Sequence, residues 1–155
     1  MNDMLPNAEM RLGNARDGTA PLAVADLRYD DVPAVADQLP RIRHMLTAWA
    51  QQVGLSADDV SAVVLATYEA MANVVSHAYP HRQGTFDVHA VYSRGRRYVK
   101  ITVVDRGCWR PPTNPVPPHG MGLQLIHGLA VDAVVDPGVH GTTVRLGWPI
   151  PGDSP

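Results

Sequence analysis

The stretch that decides the fold is YEAMANVVSHAY, which runs from Tyr68 to Tyr79. Its apolar residues recur at helical spacing, yet Glu69, Asn73 and His77 follow one another at intervals of four. At about 100° per residue these three side chains fall within one narrow sector of a helix. A solvated helix face usually carries Lys, Arg and Glu pairs, and this sector has none. The pattern therefore favours a cleft lined for a ligand.

The helix that carries this sector is predicted to open at Ser56, because Ser56 and Asp59 resemble a capping box, and to stop at Pro80. Ala62 and Ala66 share the polar sector, and their small side chains predict room there for something other than protein. The opposite side is apolar and is expected to face the core. It comprises Val60, Val63, Val64, Met71, Val74 and Val75.

Composition narrows the class of protein. A chain of 155 residues with 45% hydrophobic and 18% charged residues suits one globular domain. The formal charge of -2 gives no electrostatic footprint for nucleic acid, so a protein or small-molecule partner is expected. No run approaches the roughly 18 apolar residues of a membrane span, and the N-terminal stretch lacks the basic segment and apolar core that a secretory signal requires. These features predict a cytoplasmic protein that contacts neither membrane nor nucleic acid directly.

The chain is predicted to consist of a flexible segment at 1–20, a folded domain at 21–150 and a flexible tail at 151–155. Pro40 is expected to kink the first helix or split off its first turns. The element order predicts an α+β fold, a two-layer sandwich whose mixed, mostly antiparallel sheet carries helices on one face. Besides the helix described above, the predicted elements are a strand at 22–29, a helix at 32–54, a hairpin at 86–92 and 98–105, a helix at 123–130 and a hairpin at 132–136 and 142–148.

Three further clusters accompany the polar sector. Asp105 ends a strand and Gly107 follows it, where a side chain would obstruct whatever Asp105 binds. Gly120 and Gly122 stand at the start of a helix, where bare backbone amides and the helix dipole favour an anion. Thr142 belongs to GTTV, which taken alone is also consistent with a simple hairpin turn.

Taken together and in this order, the four clusters resemble the N, G1, G2 and Gly-Thr boxes of the GHKL ATPase superfamily. The stretch EAMANVVSHAY is especially similar to the anti-sigma-factor serine kinase family within it. The resemblance covers about residues 21 to 149. It implies the Bergerat ATP-binding fold, an α/β sandwich, with ATP and Mg²⁺ as cofactors.

The resemblance implies a role for each member of the polar sector. Asn73 would supply a side-chain oxygen to Mg²⁺, which prefers oxygen ligands. Glu69, one helical turn away, would be the catalytic residue that orients the attacking hydroxyl and takes its proton. His77 would continue the same face toward the helix end and belong to the nucleotide site through a contact with the cleft or the lid.

The other clusters would hold the nucleotide. Asp105 would accept a hydrogen bond from the adenine amino group, which discriminates against guanine because guanine offers a carbonyl there. The resemblance places five more residues in the nucleotide site: Gly107 at the ring, Gly120 and Gly122 at the phosphates, Leu123 beside them and Thr142 near the base. The loop from Arg106 to His119 is predicted to be a lid, and Trp109 stands where relatives often have a second glycine.

The resemblance implies an ATP-dependent protein serine/threonine kinase that acts as an anti-sigma factor. Its partners would be a sigma factor, which it sequesters, and an anti-anti-sigma protein, which it phosphorylates. The resemblance also allows a homodimer. Two alternatives stay open at this point. One is an ATP-binding docking module without transfer activity, and the other is the catalytic domain of a sensor histidine kinase.

Other chemistry is less well supported. Cys108 is the only cysteine, so an internal disulfide is excluded, and thiol catalysis competes with an incidental loop residue. His77 and His81 have a zinc-like spacing, but Pro80 breaks the helix that would align them. His44 as a phosphoacceptor lacks an adjacent acidic residue. A GxxxxGK[ST] loop is absent from the sequence, which excludes a P-loop enzyme.

Overall fold

The computed structural model describes residues 23–108 and 122–152. The predicted flexible segment at 1–20, most of the predicted lid, Trp109 and Gly120 lie outside the described residues. The helices are α1 (Gln38–Val53), α2 (Ala57–Asn73), which continues into a π-helical segment (Val74–Ala78), and α3 (Gly122–Leu129). The strands are β1 (Leu27–Pro33), β2 (Thr85–Ser93), β3 (Tyr98–Asp105), β4 (Asp132–Gly138) and β5 (Gly141–Pro149).

The five strands form one sheet in the order β1-β2-β3-β5-β4. Both predicted hairpins are present, as β2 with β3 and β4 with β5. All four pairings within the described part of the chain are antiparallel, so the expectation of a mixed sheet was wrong. The connection through α3 leaves β4 running in the same direction as β3. Because β5 inserts between them, neither has a parallel neighbour.

One face of the sheet is buried beneath the helices, as predicted. Along β2 the buried residues Phe86, Val88 and Ala90 alternate with more exposed ones, which is the period of a strand covered on one side. The other strands and the helices complete the same core. Its largest further members include Ile101, Val103, Leu146 and Trp148 from the sheet, and Ile42, Leu46, Val63 and Met71 from α1 and α2.

The first strand and helix start later than the sequence predicts. The register of β1 against β2 shifts between Tyr29 and Val32, and Asp31 adopts a left-handed conformation with φ 53°. This bulge lets β1 continue to Pro33, and α1 therefore begins only at Gln38. Pro40 consequently lies in the first turn of α1, where a missing amide is tolerated, so the predicted kink does not occur.

The predicted limits of α2 rest on local chemistry and are confirmed at its start. The amide of Asp59 donates to the Ser56 hydroxyl oxygen at 3.1 Å, and that hydroxyl donates to the Asp59 carboxylate at 2.7 Å. Gly54 ends α1 in the left-handed conformation, as expected of a glycine that follows a helix. Of the predicted apolar side, Val63, Val64, Met71 and Val74 are buried, whereas Val60 and Val75 are half-buried.

Candidate functional site

Helix α3 begins directly against the polar sector of α2. A Cβ atom placed on Gly122, the first residue of α3, would lie 3.2 Å from Glu69 Oε2 and 3.2 Å from Asn73 Oδ1. Such separations are tighter than ordinary van der Waals contact. The absence of a side chain at Gly122 therefore lets a helix N-terminus approach a carboxylate and an amide. The structure thus brings together three residues that the sequence placed at one site.

The space predicted beside Ala62 and Ala66 is not open along the whole sector. Ala66 is fully buried and Ala62 is half-buried, and α3 packs against α2. The expectation of free room at Ala66 was therefore wrong, because its small side chain accommodates protein. Glu69 and Asn73, one and two turns further along, are only half-buried. Access to the sector is thus retained toward the C-terminal end of α2.

The position of His77 differs from that of the other two polar residues. The chain from Val74 to Ala78 is π-helical, with hydrogen bonds that span five residues instead of four. The angular step of an α-helix therefore no longer applies beyond Asn73, and His77 is exposed. The His77 imidazole makes no hydrogen bond within residues 23–108 and 122–152. A role for His77 in the cleft stays a prediction.

Asp105 is held at the end of β3 by two backbone amides. Its Oδ1 accepts hydrogen bonds from Gly107 at 2.9 Å and from Thr142 at 3.3 Å. Asp105 and Thr142 are both buried, at 7% and 8% exposure. Oδ2 accepts no hydrogen bond from the described residues, and none of their fully buried side-chain oxygens lacks a partner. Oδ2 is therefore not fully buried and is a candidate acceptor for another donor.

Two glycines allow the chain to close around Asp105. A Cβ on Gly107 would overlap the carbonyl group of Ala78, and the next amide, that of Cys108, donates to this carbonyl at 2.9 Å. A Cβ on Gly141 would overlap the backbone of Asp105. Gly107 thus serves first to pack the end of β3 against the end of the α2 helix. Gly141 was not among the predicted residues, although its place before Thr142 in GTTV pointed to it.

The sequence also did not predict how the turn after β3 is anchored. The Tyr79 hydroxyl accepts a hydrogen bond from the amide of Arg106 at 2.8 Å and donates to the carbonyl of Thr85. The Arg106 guanidinium donates to the Asp87 carboxylate at 2.6 Å. Tyr79 lies inside the opening motif, so its place in the sequence was a usable signal. The Arg106 and Asp87 pair has no such local signal.

The remaining sequence hypotheses concern Cys108, zinc binding at His77 and His81, and membrane insertion. Cys108 is exposed, and its Sγ lies 4.0 Å from an Arg82 nitrogen. His81 follows the end of the helix with φ 61°. In the described part of the chain, His, Cys, Asp and Glu side chains form no group of three or more suited to a metal ion. None of the described helices is long and apolar enough to cross a membrane.

Solved structures with a similar fold support the architecture. The crystal structure of the RsbU and RsbW domains of Rv1364c from Mycobacterium tuberculosis superposes with a TM-score of 0.67 and 26% identity. The match covers 81% of this chain but only 32% of the mycobacterial chain, so this chain spans about a third of it. A histidine kinase domain from Erythrobacter litoralis EL346 shares the fold, with a TM-score of 0.52 over 74% of this chain and 60% of that one, at 21% identity. These structures confirm the predicted α/β sandwich.

Sequence comparison identifies the family. Serine-protein kinase RsbW of Bacillus thuringiensis (strain Al Hakam) is 28% identical over 116 residues, which cover 65% of this chain and 71% of the relative. RsbW of Bacillus anthracis (strain A0248) matches to the same extent. The model of the histidine kinase-like ATPase domain matches residues 32–148, which include every described site residue. The chain belongs to this family, and the predicted GHKL membership is confirmed.

Proposed function

We propose that this member of the histidine kinase-like ATPase domain family is an ATP-dependent protein serine/threonine kinase that acts as an anti-sigma factor. It would sequester a sigma factor and phosphorylate a Ser or Thr of an anti-anti-sigma protein in the cytoplasm. The observation that carries the proposal is the meeting of Glu69, Asn73 and the start of α3 at Gly122. Similarity to proteins named serine-protein kinases supports the same reaction.

The residues at this meeting point fit a magnesium-bound triphosphate. The amide oxygen of Asn73 is a hard ligand of the kind that Mg²⁺ accepts, and magnesium sites commonly use few protein ligands together with substrate phosphates. Gly122 presents a helix N-terminus with no side chain, which favours negative charge. Asn73 would hold the metal, and Gly122 would face the phosphates, with Gly120 and Leu123 assigned beside it from the sequence.

The end of β3 offers a hydrogen-bond acceptor that suits an adenine base. Asp105 Oδ2 is an acceptor not engaged by the described residues, whereas Oδ1 is already held by two amides. An acceptor here suits the 6-amino group of adenine and disfavours the 6-carbonyl of guanine. Gly107 and Thr142 both donate to Asp105 through their amides, so they would orient its carboxylate in addition to any direct contact with the base.

Glu69 would act on the acceptor protein. Its carboxylate lies one helical turn from Asn73 on the same rigid helix, so the proton acceptor and the metal ligand are held in a constant relation. When bound, Mg-ATP would supply the phosphoryl group, and the metal would offset its negative charge. Glu69 would orient the Ser or Thr hydroxyl of the partner and accept its proton. The phosphate gained by the partner would weaken their complex through added charge at the interface.

The test is transfer of labelled phosphate from Mg-ATP to candidate anti-anti-sigma proteins. We expect acid-stable label on the partner, because Ser and Thr phosphates survive acid. Acid-labile label would instead indicate a histidine kinase. Tight Mg-ATP binding without transfer to any partner would indicate a nucleotide-dependent docking module. A tagged sigma factor that fails to co-purify with the protein would contradict the anti-sigma part of the proposal.

A further inference from the structure

Arg106, the residue between Asp105 and Gly107, is anchored at both its backbone and its side chain. Its amide donates to the Tyr79 hydroxyl at 2.8 Å. Its guanidinium reaches Asp87 on the sheet face away from the helices, at 2.6 Å to Oδ2 and 3.4 Å to Oδ1. The turn that follows β3 is therefore tied to both faces of the sheet.

Asp87 is a well-supported anchor for this guanidinium. Its side chain is only 13% exposed, and Oδ1 also accepts the amide of Asp31 at 2.8 Å, at the bulge of β1. A second carboxylate, that of Asp31, lies 3.9 Å from the Arg106 guanidinium. Burial raises the pKa of Asp87, but the Arg106 hydrogen bond, the Asp31 amide and the Arg106 charge outweigh it and hold this pKa below its usual value. Asp87 is therefore ionised at neutral pH.

The anchored turn determines how Asp105 is presented. Oδ1 of Asp105 accepts the amide of Gly107, so the orientation of the carboxylate depends on where the backbone of Arg106 places that amide. We propose that Arg106 is a positioning residue for base recognition: its ion pair with Asp87 holds the turn so that Asp105 Oδ2 faces the 6-amino group of an adenine nucleotide. This inference rests on the adenine-binding part of the proposed function and not on phosphoryl transfer.

The test compares ADP with purine riboside 5′-diphosphate, which lacks only the 6-amino group, by isothermal titration calorimetry. The parent should bind ADP more tightly than the analogue. Arg106→Ala should lower the affinity for ADP about fivefold to tenfold and leave the affinity for the analogue unchanged. Interaction energies between residues in direct contact commonly have this size. Asp87→Asn, which keeps an acceptor for the Asp31 amide, should behave in the same way. The double variant should be no worse than either single one.

Arg145→Ala is the matched control. Arg145 is a comparably exposed arginine of the sheet that pairs with Asp136 at 3.6 Å, and its removal should leave both affinities unchanged. Arg106→Lys keeps the charge and should recover part of the discrimination. If Arg106→Ala does not fold, Asp87→Asn and Arg106→Lys carry the test.

Three results would overturn the inference. An equal loss of affinity for ADP and for the analogue in Arg106→Ala and Asp87→Asn would show a general structural role. Unchanged ADP affinity in both, with normal discrimination in the parent, would refute the positioning role and leave the proposed adenine recognition intact. Failure of the parent to distinguish the two ligands would refute both.

Discussion

Thr142 and Asp105 are 37 residues apart in the chain, yet the amide of Thr142 donates to Asp105 Oδ1 at 3.3 Å. Together with the amide of Gly107 at 2.9 Å, this bond occupies one oxygen of the carboxylate and leaves the other without a partner among the described residues. Oδ1 accepts the two backbone amides, and Oδ2 is the proposed acceptor for the base. A mutation that changes only Oδ2 can therefore test the base contact without removing the backbone hydrogen bonds.

Asp105→Asn should invert nucleotide preference. The asparagine Oδ1 can accept both amides as before, whereas its Nδ2 replaces an acceptor with a donor. We expect ADP affinity to fall about tenfold or more, since a lost charged hydrogen bond with an opposed donor costs roughly 1.5–3 kcal/mol. Affinity for IDP, whose 6-carbonyl accepts from Nδ2, should rise relative to ADP. Calorimetry with the two nucleotides measures both changes.

Asp105→Ala is the control for this exchange, because it also removes the hydrogen bonds with the Gly107 and Thr142 amides. It should lower the affinity for all nucleotides. An Asp105→Asn protein with the ADP to IDP preference of the parent would show that Oδ2 does not contact the 6-position.

Variants at Glu69 and Asn73 should impair different steps, phosphoryl transfer and Mg-ATP binding respectively. Glu69→Gln removes the proton acceptor without changing side-chain volume, so Mg-ATP and partner binding should survive while transfer falls by about 10²- to 10⁴-fold. Asn73→Ala should instead weaken Mg-ATP binding itself and the nucleotide-dependent partner complexes. Single-turnover phosphorylation and calorimetry separate the two effects. Transfer at the parental rate by Glu69→Gln would exclude Glu69 as the base.

Gly122→Ala should act on the same site through packing. The added methyl group would lie 3.2 Å from Glu69 Oε2 and from Asn73 Oδ1, so both side chains must shift by a few tenths of an ångström. We expect Mg-ADP affinity to fall severalfold with little loss of thermal stability, because the crowded atoms are side-chain ends.

Gly128→Ala is the matched control on the same helix, since the added methyl group would have no heavy atom within 4 Å other than the nearby backbone of its own helix. It should leave nucleotide affinity unchanged and raise the free energy of unfolding by up to about 1 kcal/mol through helix propensity. Equal nucleotide affinities in the parent and Gly122→Ala would argue against phosphates lying at the start of α3.

Tyr98 should make stability fall at alkaline pH. Its hydroxyl lies across Gly147 and donates to Asp132 at 2.5 Å, and burial together with this carboxylate raises the pKa of Tyr98 to about 12. In the unfolded chain a tyrosine pKa is about 10. The protonated Tyr98 hydroxyl therefore contributes fully to the free energy of unfolding below about pH 10, and this contribution is lost as pH rises toward 12. Urea unfolding at pH 9 and pH 11.5 should show a smaller alkaline loss for Tyr98→Phe than for the parent.

Tyr92→Phe controls for this measurement, because the Tyr92 hydroxyl makes no hydrogen bond with the described residues. It should retain the alkaline loss of the parent. Identical losses in the parent and Tyr98→Phe would show that the bond to Asp132 does not contribute to the pH dependence.

Much of the fold was predictable because it depends on local chemistry. The Ser56 cap, the glycine stop at Gly54 and both hairpins follow from side chains only a few residues apart. The polar spacing of Glu69 and Asn73 likewise predicted that they share a helix face. A helical step relates them without reference to the rest of the chain.

The sequence by itself thus determined the elements, their amphipathic sides and the family motif. Only the tertiary structure decided that β5 lies between β3 and β4, that Ala66 is buried, and that the end of α2 is π-helical. It also decided the contacts of Asp105 with Thr142 and of Arg106 with Asp87. These features depend on packing and hydrogen bonds between residues distant in the chain, and no local period or cap specifies such pairs.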